Sequence, residues 1–213
     1  MSLSQTSLFG HDDVLVGTIR ELASNPKVLK FIENVMTDYK PACPWLLLVP
    51  ETRQKPFTRS QLYRKIKMFF REHAFGEKYH IVFISNVLGV CPEELADKET
   101  ANFKLLGSIP DNSVIWRTAN ILARYLEKTK ESYTKRLVYA RGSYLESVKT
   151  ASAISRIDIE SILTQSDLIW LKRLGIRWMK IGLRMNECFT IFKERIVKLS
   201  NNSLVQAKLS DFQ

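Results

Sequence analysis

A chain of 213 residues can bury one substantial core, or one core with an appendage. With 45% hydrophobic and 25% charged residues it falls in the ordinary globular class, and no apolar run approaches the roughly 18–20 residues of a membrane helix. A formal net charge of +10 and a pI of about 9.6 favour polyanionic partners, nucleic acid first, although the same charge also serves solubility.

The first ten residues are polar and small and read as a loose tail. They lack the basic and apolar regions of a signal peptide, so a cytoplasmic location is expected. Asp12 and Asp13 precede a short helical pattern through Leu22. Asn25-Pro26 starts a further helix, with Asn as N-cap and Pro in the first turn, ending before Pro41. Trp45 to Val49 is an apolar run that reads as a buried strand. The loop Pro50 to Phe57 follows, and Thr58 and Gln61 are placed as a capping box for a helix to about Ala74.

Further strand candidates are His80–Ile84, a weaker Phe103–Leu106, and Arg136–Ala140. Helices are expected over about 112–128 and 144–154. Apolar strands separated by amphipathic helices argue for an α/β, three-layer, Rossmann-like fold with a mainly parallel sheet over residues 11–155. From 156 to 213 the chain changes to a basic helical extension. One long helix, or two, spans Asp167 to Leu199, with an apolar side from Leu171 to Leu199 and a basic row of Arg173, Arg177, Lys180 and Arg184. The apolar side suits packing on the domain or a homodimer face. The basic row suits phosphate contact or plain solvation.

Cys43, Cys91 and Cys188 are scattered, as are His11, His73 and His80, so neither a disulfide framework nor a metal site is expected. Lys55 lies in a Pro-stiffened loop near a helix N-terminus, in the strand-loop-helix position where open α/β sheets bind ligands, or is a solvated Lys in an ordinary βα loop. Asn86 suits a base edge or an amide, and Gly89 a close backbone approach, or both belong to a plain turn. Arg141-Gly142-Ser143, between a strand and its helix, offers backbone amides and a counter-charge to a phosphate.

The Pro50–Tyr63 segment resembles the signature of archaeosine synthase, an archaeal tRNA-modifying enzyme family, matching at Pro50, Lys55, Pro56 and Ser60. It departs at Glu51, Phe57 and Tyr63, where the family has Cys, Tyr and His. Ile84 to Leu95 is similar to a second family stretch, and Asn25–Val28 and Gly142–Glu146 fit the same order. The likeness covers roughly residues 25 to 155.

What the resemblance implies is tRNA modification. The side-chain amine of free lysine is added to the nitrile of a 7-cyano-7-deazaguanine at tRNA position 15, and a radical-SAM lyase partner then cleaves the adduct. No cofactor of the chain's own is implied. The carried-over roles are Lys55 and Ser60 as donors facing one cavity, Glu51 as proton acceptor in place of the family's Cys, and Tyr63 beside the substrate. The alternatives are a noncatalytic RNA-binding or partner subunit, or a sliding-clamp-associated DNA-processing protein, since Gln206–Gln213 loosely resembles a clamp-docking peptide.

Overall fold

The computed structural model describes residues 14–107, 110–175 and 182–210, with side chains as far as Asn201. Its frame is a five-stranded sheet in the order β4-β3-β2-β6-β7. β2 (Trp45–Pro50) and β3 (Tyr79–Ser85) are parallel neighbours buried along their whole length, as expected of strands covered on both faces. β6 (Lys135–Val138) runs parallel on the other side of β2, and β7 (Glu160–Ser161) runs parallel to β6. β4 (Gly89–Pro92) folds back antiparallel on β3, with Gly89 opposite Ser85. The architecture is the mainly parallel, Rossmann-like α/β sheet that the sequence predicts.

Alternation along β3 assigns the two covering layers. Tyr79 faces α3 (Gln61–Glu72), where Phe70 stacks on it at a 4.7 Å centroid distance, and its hydroxyl meets Ser200 Oγ at 2.9 Å. Ser200 belongs to α7 (Asn186–Ser210), whose fully buried Phe192 packs on Phe70 in the same layer. Leu62, Ile66, Phe69 and Phe70 form the buried stripe of α3. Each such side chain contributes about 1.5–3 kcal/mol on burial. His80 points the other way, toward α2 (Pro26–Thr37) and α4 (Asn112–Lys128), and α5 (Gly142–Ser155) packs along α4.

Several sequence expectations are corrected. Phe103–Leu105 is a strand, β5, but pairs in parallel with β1 (Leu15–Gly17) in a separate two-stranded ribbon. The helix expected through Leu22 is therefore reduced to α1 (Ile19–Ala23), which Thr18 and Glu21 close with a capping box. Ser60, not Thr58, caps α3, because Phe57–Arg59 forms a 3-10 turn first and delays the helix. Over 167–199, where the sequence allows one helix or two, the described residues give two. α6 (Gln165–Lys172) starts at a Thr164–Asp167 capping box, Gly175 and Gly182 both adopt left-handed φ of 58°, and α7 starts at Asn186. Arg173 and Arg184 thus sit on separate elements and share no helix face, while Arg177 and Lys180 lie outside the described residues. The edge strand β7 comes from beyond residue 155, so the basic extension completes the core sheet. Of the 206–213 tail, α7 includes the backbone to Ser210, and 211–213 lie outside the described residues.

Beneath α2 and α4 lies a polar network that runs from the buried His80, Tyr125 and Tyr133 out to the exposed Glu94. The His80 ring is fully buried, with Nδ1 hydrogen-bonded to the Tyr133 hydroxyl and Nε2 lying 2.7 Å from Tyr39 Oη and 3.1 Å from Glu94 Oε2. Tyr39 donates to the same Glu94 oxygen at 2.9 Å, and Tyr125 joins through Tyr133 at 2.7 Å. Burial acts to raise the Glu94 pKa, but the hydrogen bonds and charge of His80, with the Tyr39 hydroxyl, bring it down from 4.5 to about 2. A carboxylate with a depressed folded-state pKa contributes stability that is complete above its unfolded value and lost as pH falls through the folded one. Acid titration should therefore reveal a loss between about pH 4.5 and 2 that Glu94→Gln removes. An unchanged acid limb in that variant would refute the assignment.

Candidate functional site at the sheet switch point

The connections that leave β2 and β6 go to opposite faces of the sheet. The chain after β2 enters α3 in one layer, and the chain after β6 enters α5 in the other. Adjacent parallel strands with diverging connections leave a crevice at their carboxyl ends, the general ligand position in open α/β sheets. A cavity of about 580 Å³ occupies that crevice. Pro50, Glu51 and Thr52 wall it from β2, Arg141 to Tyr144 from β6, Leu168, Ile169 and Lys172 from α6, and Gly182 to Arg184 close it. A volume of this size is in the range of small-molecule pockets.

Glu51 is the polar centre of this wall. Its side chain is 3% exposed. Oε1 accepts from the Asn86 amide at 2.8 Å and from the Tyr144 hydroxyl at 3.3 Å. Oε2 accepts from Ser85 Oγ at 3.0 Å and from Lys55 Nζ at 3.4 Å. The Glu51 main-chain amide extends the β2–β3 ladder by bonding Ile84 O at 2.8 Å, which fixes the start of the loop. Burial raises the Tyr144 pKa, and the Glu51 carboxylate raises it further, so the phenol stays protonated and donates. Lys55 shows the reverse: burial lowers its pKa against the opposing pull of Glu51.

The rim is cationic. The Arg141 guanidinium lies over Gly182, where an added Cβ would meet it at 2.8–2.9 Å. Arg184 Nη1 donates to Gln61 Oε1 at 3.0 Å, and Lys65 Nζ donates to Arg184 O at 3.1 Å, tying the closing turn to α3. Lys172 stands exposed on α6.

The sequence-predicted residues are distributed unevenly over this geometry. Glu51, Arg141, Gly142, Ser143 and Arg184 line the cavity. Asn86 lies just behind it, donating from Nδ2 to the Tyr144 hydroxyl at 3.1 Å, and its buried Oδ1 has no hydrogen-bond partner among the described residues. Lys55 joins through Glu51 but lines a different cavity, on the β5 side of the loop. Ser60 Oγ accepts from Tyr63 N at 3.2 Å as the α3 cap, so Lys55 and Ser60 do not face one hollow. Tyr63 packs on Phe83 and donates to Glu93 at 2.8 Å. Gly89 is packed against Ile121 of α4. Arg173 is the exposed C-cap of α6. Sequence reasoning gave no role to Tyr144, Ser85 or Lys172. The first two stand inside stretches it singled out, and only their tertiary neighbours reveal them. Among the described residues no group of three His, Cys, Asp or Glu is placed to hold a metal ion, and no helix is long and apolar enough to cross a membrane.

A family model described as a domain of unknown function, DUF5591, matches residues 28–169. The chain belongs to the DUF5591 family. The matched segment runs from α2 into α6 and includes both loops that carry the DUF5591 cavity wall, after β2 and after β6. The solved structure of AF0587, a protein of unknown function, is similar over 68% of this chain and 48% of its own, with 20% identity and a TM-score of 0.49. The chain thus spans about half the length of that protein. No curated protein matches this DUF5591 chain.

Proposed function

We propose that this DUF5591 protein is a tRNA-modifying transferase of the archaeosine-synthase type, adding the side-chain amine of lysine to the nitrile of a 7-cyano-7-deazaguanine in tRNA. The observation that carries the reading is the buried Glu51 carboxylate in the wall of the switch-point cavity, bonded to the Tyr144 hydroxyl and ringed by Arg141, Lys172 and Arg184. In this scheme the incoming ammonium, ordinarily charged below a pKa of about 10.4, gives one proton to Glu51. The free amine attacks the nitrile carbon, and a C–N bond forms as one C≡N π bond opens onto the nitrile nitrogen. That nitrogen takes the proton shed by the attacking nitrogen to give the amidine, and the Glu51 proton returns to solvent. Arg141 is the donor suited to the charge developing on that nitrogen. Lys55 and Ser85 act on Glu51 and hold its orientation. A carboxylate at this position forms no thioimidate, so the addition is noncovalent with respect to Glu51. The rim cations suit tRNA phosphates, and a radical-SAM lyase is the partner that would consume the product.

The test is incubation of the pure protein with cyano-deazaguanine tRNA and labelled lysine, with and without the lyase. Incorporation is expected, and Glu51→Gln should reduce it by about 10²–10⁴-fold, the usual range for a general base. No incorporation under either condition removes the transferase reading. One observation favours a second reading, a noncatalytic RNA-binding subunit: the hydrogen bonds of Glu51, Lys55 and Ser60 are already directed at one another and at the backbone. Tight tRNA binding without incorporation would select it.

A further inference from the structure

We propose that the cavity on the other side of the β2–α3 loop is a second binding site, for a phosphate-class anion. It measures about 480 Å³ and lies between that loop and the β1–β5 ribbon. Its charged lining is Arg53, Lys55 and Lys104, and no carboxylate stands among the described residues that line it. Arg53 and Lys104, beside a Lys55 already paired with Glu51, give the hollow a positive potential that favours an anion.

Lys55 distinguishes this hollow from a basic surface. Its side chain is 6% exposed, and its Nζ sits 4.2 Å and 4.5 Å from the ring centroids of Phe57 and Phe103. An ammonium carries three donors. One goes to Thr52 O at 2.6 Å, and Glu51 Oε2 stands at 3.4 Å, well beyond the roughly 2.7–2.9 Å of a charge-assisted bond. Of the Lys55 contacts, the 3.4 Å ion pair with Glu51 is the long one, and it is the one with which a second anion competes. Arg53 and Lys104 are exposed at the mouth, where they attract an oxyanion and a phosphate's several oxygens accept from all three side chains. A phosphate fits better than a carboxylate because its second charge and extra acceptors match three cations.

The loop is a partition. Pro50, Glu51 and Thr52 face the switch-point cavity, and Arg53 and Lys55 face this one. An anion bound here draws Lys55 from Glu51, so the two cavities communicate through one ion pair. The inference stands independently of the lysine-transfer reading, and its test uses no transfer assay.

Calorimetric titration with inorganic phosphate, against chloride at matched ionic strength, should show saturable binding that the Arg53→Ala/Lys104→Ala double variant weakens by at least about tenfold. Both side chains are exposed, so the variant should keep the wild-type circular dichroism. A short RNA oligonucleotide forms the second arm. RNA binding lost in the same variant identifies a nucleic-acid phosphate as the occupant, whereas RNA binding that ignores the substitutions, with phosphate binding lost, identifies a small phosphorylated molecule. Glu51→Gln, which removes the competing charge beside Lys55, should tighten phosphate binding. The proposal is overturned if neither phosphate nor RNA affinity depends on Arg53 and Lys104.

Discussion

Replacing Glu51 by alanine should lower the unfolding free energy by about 3–5 kcal/mol, the cost of removing one partner from a buried ion pair. The size follows from what is left behind. Lys55 becomes a buried cation whose nearest charged partner has gone, its side chain only 6% exposed. The Ser85 hydroxyl and the Asn86 amide, both buried, lose their acceptor as well, and each unsatisfied buried donor costs about 1–3 kcal/mol. These penalties overlap and do not add. Urea unfolding with an unchanged slope is the measurement. Glu51→Gln keeps the volume and one acceptor oxygen, so it should lose less and leave a folded protein for the lysine assay. Pairing Glu51→Ala with Lys55→Met removes the orphaned charge and should recover a large part of the loss. If the single alanine variant costs under about 1 kcal/mol, the carboxylate is hydrated in solution and its role at the cavity wall fails.

That network also marks how far the sequence could be read. Apolar runs were enough to find β2 and β3, because strands covered on both faces keep a mostly apolar run, Trp45–Val49 in one and Ile81–Ile84 in the other. The loop after β2 is one the sequence marks by its strand-loop-helix position, and Glu51, Arg141, Gly142 and Ser143 line the crevice. What the sequence did not show is which groups meet. Glu51 bonds Ser85 across 34 residues and Tyr144 across 93, and no local period encodes such a pairing. Ser60 resisted for a different reason. The 3-10 turn Phe57–Arg59 delays α3, which makes Ser60 the N-cap and commits its oxygen to the backbone. The basic row from Arg173 to Arg184 assumed unbroken helical phase, and a left-handed glycine at each of 175 and 182 ends that phase.

Gly89→Ala is expected to destabilise the fold by about 2–5 kcal/mol, combining backbone strain with overpacking. Gly89 has φ of 72°, a conformation that residues with a Cβ rarely adopt. The space is closed too: an added Cβ would lie 2.3 Å from Ile121 Cγ2 and 2.6 Å from Ile121 Cβ. Ile121 sits in the middle of α4, so relief requires the β3–β4 hairpin and the helix to separate. The consequence reaches the site through Asn86, three residues earlier. Its amide holds Glu51 Oε1 at 2.8 Å, while Arg117 donates to Val87 O at 2.9 Å and ties the same turn to α4. Displacement of the hairpin thus displaces the carboxylate. Gly89→Ala combined with Ile121→Gly removes both the Cγ2 and the Cβ clash but keeps the strained φ, so the pair should be less destabilised than the sum of the singles by about 1 kcal/mol. Strict additivity would mean that steric contact with α4 is not what requires glycine at position 89.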